Sequence, residues 1–301
     1  MKKLRFLWEK MFILNAWTIG YREIEDNRSS LPSQNERAQY RAVKINDHMY
    51  FADPFVFEDG KDVYLFAESM NRYRGIASIS VAKYDGNGHF NQFKEILIEP
   101  FHLSYPNVFS LNGKYYMIPE TSAVKQVRLY EANNFPYGWE LKKVLLDDGK
   151  AYTDNAIFFD DGKVFFVSYY EDKDNNGIST RYILNSQTLE LEKCADEIEL
   201  CNGRPAGNPF CIQGRIYRPI QDCEEYYGKA IYIQGLYDGK EKTVERINAD
   251  SYRFSPGIKR ITGTHTLNRS NHFEVVDIRM DRVCFSRRWI WLYKKYRQLR
   301  H

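Results

Sequence analysis

One pattern occurs four times along the chain: a short apolar strand, a turn that ends in glycine, and a second apolar strand. The turn glycines are 53, 49 and 52 residues apart, and they are Gly60, Gly113, Gly162 and Gly214. Asp-Gly or Asn-Gly between apolar runs is the strongest short signal for a β-hairpin, and three of the four turns contain such a pair or a close variant. A continuous repeat of about 50 residues favours a single array of similar β-units and argues against two separate domains.

Further strand-like stretches lie between these hairpins, so each unit has about four strands, the content of a propeller blade. A fifth unit begins near Gly263, and residues 16–24 resemble a strand that closes the ring with this last unit. Aromatic residues make up 16% of the chain, which suits strands and also sugar-binding surfaces. The sequence therefore predicts an all-β protein: a five-bladed β-propeller over residues 16–285, followed by a short basic helix over 286–301.

Residues 287–301 contain six Lys/Arg and no acidic residue, whereas the rest of the chain is mildly acidic. Five apolar side chains in this tail are spaced to share one face of a helix: Trp289, Leu292, Tyr293, Tyr296 and Leu299. A basic amphipathic helix with Trp and Tyr is typical of an interfacial membrane anchor. We expect an anionic membrane surface as a partner through residues 287–301, with packing against the propeller as the alternative. A nucleic-acid partner is not expected, because no base-reading motif is present.

The N-terminal residues and the cysteine spacing indicate the cellular compartment. The run after Lys2 and Lys3 is interrupted by Glu9 and Lys10, unlike a signal peptide, and no apolar stretch is long enough to cross a membrane. The five cysteines lack CxxC spacing, which argues against disulfides and a zinc site. We expect a cytoplasmic protein, peripheral at the inner face of the membrane, without a cofactor or a metal.

In a hairpin, the start of the first strand and the end of the second lie at the same edge, which in a blade faces the central channel. Polar residues occupy these positions in every unit. From the first unit to the fifth they are Asp53 and Glu68; Asn107 and Glu120; Asp154, Asn155 and Tyr169; Arg204, Asn208, Gln221 and Asp222; and His265 and Asn268. We expect these side chains to converge at the channel mouth. Turn caps, salt bridges between blades or a core histidine would explain individual members equally well.

Several carboxyl groups around one funnel suit glycoside chemistry, in which one protonates a leaving oxygen and another stays ionised. The same set suits sugar transfer, with a base for the acceptor hydroxyl and Arg204 or Arg218 to neutralise a leaving phosphate. The sequence lacks the GxSxG, P-loop, HExxH and GxGxxG motifs. Its nearest approach to the Asp-x-Asp pair of metal-dependent transferases is DKDNN (172–176), which lies in a polar turn and is weak evidence for a metal-nucleotide site.

Some of these segments resemble known families. The ADPF segment (52–55) and the segment TDNAIFFDDGKVFFV (153–167) resemble motifs of family 43 glycoside hydrolases, which are five-bladed propellers. A more extensive resemblance, over residues 17 to about 277, is to bacterial relatives of the N-terminal domain of plant glucosamine inositolphosphorylceramide transferase. It is carried by WTIGYR (17–22), ADPFVF (52–57), LSYPNVF (103–109), YYMIPE (115–120), RPAGNPF (204–210), YRPIQDC (217–223) with YYG (226–228), and THTLN (264–268).

The hydrolase resemblance implies that Asp53 is a general base and that Asp154 tunes a general acid. The family's acid is a Glu before Gly-Pro in the fourth blade, but here that place is RPAGNP (204–209), with no Glu between Cys201 and Cys223. This departure argues against ordinary hydrolysis. In the plant transferase the similar domain precedes a separate glycosyltransferase domain, which is not found in this chain. The bacterial relatives resemble parts of surface-polysaccharide assembly systems.

Our leading hypothesis is a sugar-transferring enzyme in cytoplasmic assembly of surface polysaccharide or glycolipid, acting on a lipid-linked acceptor with a carbohydrate or nucleotide-sugar ligand. Asp53 would be the base, with Glu120 and Asp154 shaping its pKa. The predicted substrate-binding residues are Glu68, Asn107, Arg204, Arg218, Gln221, Asp222 and His265. One alternative is a glycoside hydrolase with a relocated acid, either Glu120 or Glu68. The other is a non-catalytic carbohydrate-binding or scaffold propeller.

Overall fold

Five small antiparallel sheets are arranged as the blades of a propeller around a central channel, as the repeat predicts. The computed structural model describes residues 12–24, 31–32, 39–45, 48–194, 203–237, 240–254, 260–284, 286, 289–290, 292–293 and 296. The chain enters through β1 (Ile13–Glu23) and β2 (Arg41–Ala42), which belong to the fifth blade. The prediction of an all-β, five-bladed propeller is confirmed.

The first four blades are each a sheet of four strands that follow one another in the chain. The first blade contains β3 (Met49–Asp59), β4 (Asp62–Asn71), β5 (Ala77–Lys83) and β6 (Lys94–Leu97). The second contains β7 (Ser104–Leu111), β8 (Lys114–Glu120), β9 (Val127–Asn134) and β10 (Tyr137–Leu146). The third contains β11 (Thr153–Asp160), β12 (Lys163–Glu171), β13 (Gly177–Leu184) and β14 (Leu191–Lys193). The fourth contains β15 (Phe210–Ile212), β16 (Arg215–Asp222), β17 (Ala230–Tyr237) and β18 (Lys240–Asn248).

The fifth blade closes the ring by pairing strands from the two ends of the described chain. It contains β19 (Ile261–Gly263), β20 (Leu267–Arg269) and β21 (Phe273–Val283), together with β1 and β2. β1 and β21 pair along their whole lengths, from Ile13 opposite Val283 to Glu23 opposite Phe273. The predicted closing strand at residues 16–24 is therefore present, and it begins three residues earlier. Two short 3₁₀ turns, Ser122–Val124 and Ala249–Ser251, lie outside the sheets.

The four predicted turn glycines all have a positive φ, between 60° and 78°, which the tight hairpin turns require. These turns lie at one end of the channel, and the predicted site residues lie at the other. The abundant aromatic residues fill the spaces between blades. Between the first and second blades, for example, Phe66 and Tyr105 are fully buried in the same apolar cluster. Burial of such a side chain contributes roughly 1.5–3 kcal/mol to the stability of the fold.

Asparagine side chains close the channel below the predicted site. Asn107 donates from Nδ2 to Asn208 Oδ1 at 2.6 Å and to the Asn155 carbonyl at 2.9 Å, while Asn208 Nδ2 donates back to Asn107 Oδ1 at 3.0 Å. Asn268 Oδ1 accepts from the Asn208 backbone N–H at 2.7 Å, and its Nδ2 donates to the Pro54 carbonyl. These hydrogen bonds form an asparagine plug that links residues of all five blades, so its members hold the fold together.

We expect Asn107→Ala to lower the free energy of unfolding by about 1–3 kcal/mol, because it leaves buried partners of the plug without a hydrogen bond. Urea unfolding measures the change. The control is Asn176→Ala, which removes a side-chain amide that donates a hydrogen bond to Asp172 in an exposed loop. Its free energy of unfolding should stay within about 0.5 kcal/mol of the wild type. Equal effects of the two substitutions would contradict the role of the plug.

The tail is helical at the residues that the structure describes, namely 289–290, 292–293 and 296. Ile290 is buried, and Tyr293 packs edge-on against Tyr73 with ring centroids 5.2 Å apart. Of the predicted apolar face, Trp289, Leu292, Tyr293 and Tyr296 are exposed, whereas Leu299 lies outside the described residues. Among the residues described, no helix has the length and apolar character needed to span a bilayer.

Candidate functional site

The site is built on a β-bulge that recurs in the innermost strand of the first three blades. Strand pairing skips between Ala52 and Phe55 in β3, and it skips at the corresponding places in β7 and β11. At each bulge a non-glycine residue has a φ of 48–50°: Asp53, Tyr105 and Asp154. Such strained residues persist where the surrounding structure holds them, and they concentrate at functional sites.

The bulges explain why equivalent blades present different side chains. In the first and third blades the bulge holds an aspartate, and both Asp53 and Asp154 are buried at the channel mouth. In the second blade the residue is Tyr105, whose ring packs into the core at 4.8 Å from that of Phe55. The sequence predicts Asn107 as the counterpart in this blade, whereas the structure places Tyr105 there. The difference arises because the bulge shifts the strand register, and apolar periodicity does not reveal a bulge.

The second strand of each hairpin ends opposite the bulge. Glu68 pairs with Ala52, Glu120 with Ser104 and Tyr169 with Thr153. The structure therefore brings Asp53, Glu68, Glu120 and Asp154 to one end of the channel, where the sequence predicted that they converge.

Asp53 belongs to a buried chain of ion pairs with His265 and Asp277. His265 Nε2 lies 3.0 Å from Asp53 Oδ1, and its Nδ1 lies 2.7 Å from Asp277 Oδ2. Asp53 also accepts hydrogen bonds from the Thr266 hydroxyl at 2.8 Å and the Tyr105 N–H at 3.2 Å. Burial alone would raise the pKa of Asp53, but the charge of His265 and these hydrogen bonds outweigh it and lower that pKa.

The same chain fixes the charge of His265. Burial alone would lower its pKa, but Asp277 and Asp53 together raise it well above the ordinary value. Asp277 also accepts the backbone N–H groups of His265 and Thr266 and so holds this loop in place. Asp277 is not among the predicted site residues, although an aspartate within the apolar run VVDI (275–278) of β21 is a detectable signal.

Asp53, His265 and Asp277 are also the described residues whose ligand atoms are close enough for a metal ion, all within 4.8 Å of one another. A metal would require the neutral imidazole, whereas both carboxylates stabilise the protonated ring. The donor set therefore fits a hydrogen-bonded charge chain better than a metal centre.

The buried Asp154 and the half-buried Glu120 form a second group at this end of the channel. Asp154 accepts a very short charged contact from Arg204 Nε and a hydrogen bond from Gln221 Nε2 at 3.0 Å. Glu120 accepts from the Asp154 N–H at 3.2 Å and from the Ser122 hydroxyl at 2.6 Å. Burial, together with the charge of Asp154, raises the pKa of Glu120 to about 7. This carboxyl group can therefore exchange a proton near neutral pH.

Glu68 is the third carboxyl group at this end, and it faces His102. His102 Nε2 lies 3.4 Å from Glu68 Oε1, and the imidazole side chain is partly exposed. Burial and the charge of Asp53 raise the pKa of Glu68, while His102 opposes the shift. The hydrogen bond with Glu68 raises the pKa of His102.

Aromatic rings form one wall of the mouth. The Trp17 ring lies 4.4 Å from His265 and the Tyr227 ring 4.9 Å from it, and the Arg204 guanidinium lies over Tyr227 at 5.4 Å. Tyr227 and its neighbour Tyr226 are exposed. Amphipathic rings at a polar mouth are suited to stacking against sugar faces. Trp17 and Tyr227 are not among the predicted site residues, because the hairpin geometry that selects channel positions does not show which residues of the closing strand or of the loop after β16 reach the mouth.

Three predicted substrate-binding residues do not join this cluster. Arg218 pairs with Glu241 at 3.1 Å, and Asp222 pairs with Arg246 at 2.7 Å. Both lie an odd number of residues from Gln221 along β16, so their side chains point to the other face of the strand. Asn107 lies in the asparagine plug. Of the predicted set, Glu68, Arg204, Gln221 and His265 lie with the catalytic candidates Asp53, Glu120 and Asp154.

The cluster is acidic on balance. Each cation that contacts these carboxyl groups within the described residues already pairs with one of them: Arg204 with Asp154, His265 with Asp53 and Asp277, and His102 with Glu68. Such a mouth favours a neutral polyol such as a sugar. Its combination of an ionised Asp53 and a Glu120 that titrates near neutrality supplies one fixed charge and one proton-transfer group.

Comparison with known proteins identifies the family of this chain. The family model for glucosamine inositolphosphorylceramide transferase 1, N-terminal, matches residues 25–281. The chain is 32% identical over 244 residues to glucosamine inositolphosphorylceramide transferase 1 of Arabidopsis thaliana, an alignment that covers 75% of this chain and 30% of the plant protein. The chain thus spans less than a third of that relative's length.

Solved structures share the fold. A family 117 glycoside hydrolase from Zobellia galactanivorans superposes with a TM-score of 0.55 at 12% identity, covering 90% of this chain and 91% of the other. The catalytic domain of a family 62 α-L-arabinofuranosidase from Coprinopsis cinerea gives 0.55 at 11% identity, covering 87% and 97%. At these identities the likeness concerns the fold alone. The match to the family model and the identity to the plant relative together show that this chain belongs to the family of glucosamine inositolphosphorylceramide transferase N-terminal domains.

Proposed function

We propose that this propeller is a glycan-active enzyme that transfers a sugar to a hydroxyl group of a glycan or glycolipid acceptor, in cytoplasmic assembly of such molecules. Glu120 accepts the proton of the acceptor hydroxyl, whose oxygen forms the new bond to the anomeric carbon as the bond to the leaving group breaks. Asp53, held ionised by His265, stabilises the positive charge that develops on the donor sugar. Trp17 and Tyr227 provide the surface against which a sugar ring stacks.

One observation carries the proposal: Glu120, a half-buried carboxyl group that accepts the Asp154 N–H, lies at the same channel mouth as Asp53. Burial and the charge of Asp154 raise the pKa of Glu120 to about 7, while the pKa of Asp53 is lowered. A proton-transfer group is most effective when its pKa is near the working pH. The name of the plant relative, a transferase that is named for a glycolipid, supports transfer as the reaction class.

This assignment differs from the one expected from the sequence, in which Asp53 was the base. Both oxygens of Asp53 are already engaged, and its pKa is lowered. We therefore place the proton transfer at Glu120 and keep Asp53 as a fixed charge.

A second candidate function is hydrolysis of a glycosidic bond, with Glu120 as the acid that protonates the leaving oxygen. The charge balance of the mouth favours this candidate. Stabilising a leaving diphosphate requires cations that are available to it, and Arg204 and His265 are committed to carboxylates.

The products distinguish these functions. The purified chain is incubated with labelled oligosaccharides, alone and with nucleotide sugars, and the products are analysed by mass spectrometry. Transfer predicts an acceptor that gains the mass of one sugar residue. Hydrolysis predicts free sugar and a shortened oligosaccharide without any nucleotide sugar. Saturable binding of an oligosaccharide with no product under either condition would contradict both enzymatic functions and indicate a binding module.

A further inference from the structure

Two basic, aromatic stretches of the sequence are joined to neighbouring strands of the fifth blade. Residues 1–12 (MKKLRFLWEKMF) lead into β1, and residues 286–301 follow β21. Residues 1–12 and 287–301 together carry ten Lys/Arg and one Glu, whereas the other residues carry 33 Lys/Arg and 39 Asp/Glu. Ile13 pairs with Val283, and the Cys284 N–H donates to the Phe12 carbonyl at 2.7 Å, so both segments leave the sheet side by side.

This end of the sheet is the end that carries the candidate site. β21 starts at Phe273, at the end of the channel that lies away from the site. This is shown by His272, which contacts Glu58 near the Gly60 turn. It passes the level of the site at Asp277, which binds His265, and runs on to Val283. Six further residues of strand carry it about 20 Å beyond the charged cluster. Phe12 and Cys284, where the two segments join the sheet, therefore lie at the end of the fifth blade on the side of the channel mouth.

Exposed apolar side chains gather on the same face. Trp289 is 71% exposed and Leu292 47% exposed on the tail, and Tyr226 is 47% exposed on the loop after β16. Tyr293 joins the tail to Tyr73, which lies on the loop that follows Glu68 and β4. Aromatic side chains beside a dense positive charge have the composition of a surface that inserts shallowly into an anionic lipid interface.

We propose that the site face of the propeller, which carries the described tail residues and the Tyr226 loop, docks on an anionic membrane surface with the channel mouth towards the bilayer. The acidic remainder of the chain is repelled from such a surface, which fixes the orientation. A mouth that faces the bilayer suits an acceptor that is linked to lipid. This statement about the substrate rests on the proposed function.

The first test is flotation of the full chain with vesicles of phosphatidylglycerol and phosphatidylcholine, in the absence of any sugar. We expect binding that is lost when phosphatidylglycerol is omitted and that weakens as salt is raised. The double substitution Lys294→Glu/Lys295→Glu should weaken it about tenfold or more. The matched control Lys61→Glu/Lys163→Glu makes the same change of charge at exposed turn positions on the opposite end, and it should bind almost as the wild type does.

The second test uses two exposed cysteines as reporters of orientation. Cys223 follows β16 at the site end, and Cys211 lies in β15 near the Gly214 turn at the opposite end. Anionic vesicles should slow modification of Cys223 by a water-soluble maleimide and leave the rate at Cys211 unchanged, as measured by peptide mass spectrometry. Absence of vesicle binding, equal loss in the two charge variants, or protection of Cys211 instead of Cys223 would each overturn the proposal. Because no sugar is present, these outcomes are independent of the enzymatic function.

Discussion

Glu120→Gln should lower the rate of product formation by about 10²–10⁴-fold, the usual contribution of a positioned proton-transfer group. Glutamine keeps the size of the side chain, and its Oε1 can accept the Asp154 N–H while its Nε2 donates to the Ser122 hydroxyl oxygen, so the fold should remain intact. The measurement is the rate with the substrate identified by the product assay. Glu140→Gln, an exposed position on β10, is the control and should stay within about twofold of the wild type. A Glu120→Gln variant with near wild-type activity would exclude this residue from the chemistry.

The direction of the pH dependence shows which role Glu120 has. A base must be ionised, so for transfer the rate should rise as the pH passes through about 7, the pKa of Glu120. An acid must be protonated, so for hydrolysis the rate should fall over the same interval. The Ser122→Ala substitution removes a hydrogen bond that favours the ionised form of Glu120, so it should move this pH-dependent change in rate to higher pH. A flat profile around pH 7 would contradict both roles.

His265→Ala should lower the free energy of unfolding by about 3–5 kcal/mol, the cost of leaving buried charge without its partner. Two carboxylates, Asp53 and Asp277, lose their common cation in this variant. Urea unfolding measures the effect. The control is His102→Ala, which removes a partly exposed partner of one carboxyl group and should cost less than about 1 kcal/mol. Similar costs for the two variants would show that the charge chain does not stabilise the fold.

The effect of His265→Ala should depend on pH in a defined window. The pKa of Asp53 is lowered from 3.8, so its stabilising contribution is present above that value and is lost as the pH falls through the folded pKa. The pKa of His265 is raised from 6.5, so its contribution is complete below 6.5 and is lost as the pH rises through the folded pKa. The difference between wild type and variant should therefore be largest between about pH 4 and 6.5.

The propeller was predictable because its signals are local and repeated. Each Gly turn is fixed by its own few residues, and the alternation of the flanking strands places the same positions at the channel in every unit. The closing strand β1 was also predictable, since its apolar pattern has no partner nearby in the sequence. Asp53, Glu68, Glu120 and Asp154 follow from the same geometry.

The rest of the site depends on contacts between distant residues. Asp277 pairs with His265 only after β21 and the first blade are brought together, and Trp17 reaches the mouth only because β1 closes the ring. Arg218 was misplaced among the site residues because composition favours an arginine near a phosphate, whereas the strand alternation turns it towards Glu241. The protonation of Glu120 depends on burial and on the charge of Asp154, and neither quantity can be obtained from a linear pattern.

The most direct test of the account is an NMR titration of the glutamate side-chain carboxyl carbons in protein labelled with ¹³C at that position. The spectrum of Glu120→Gln identifies the resonance of Glu120 by its absence. The account predicts that this resonance titrates with a midpoint near 7. A Glu120 resonance that titrates near the ordinary value of 4.5 would contradict the assignment of proton transfer to this residue.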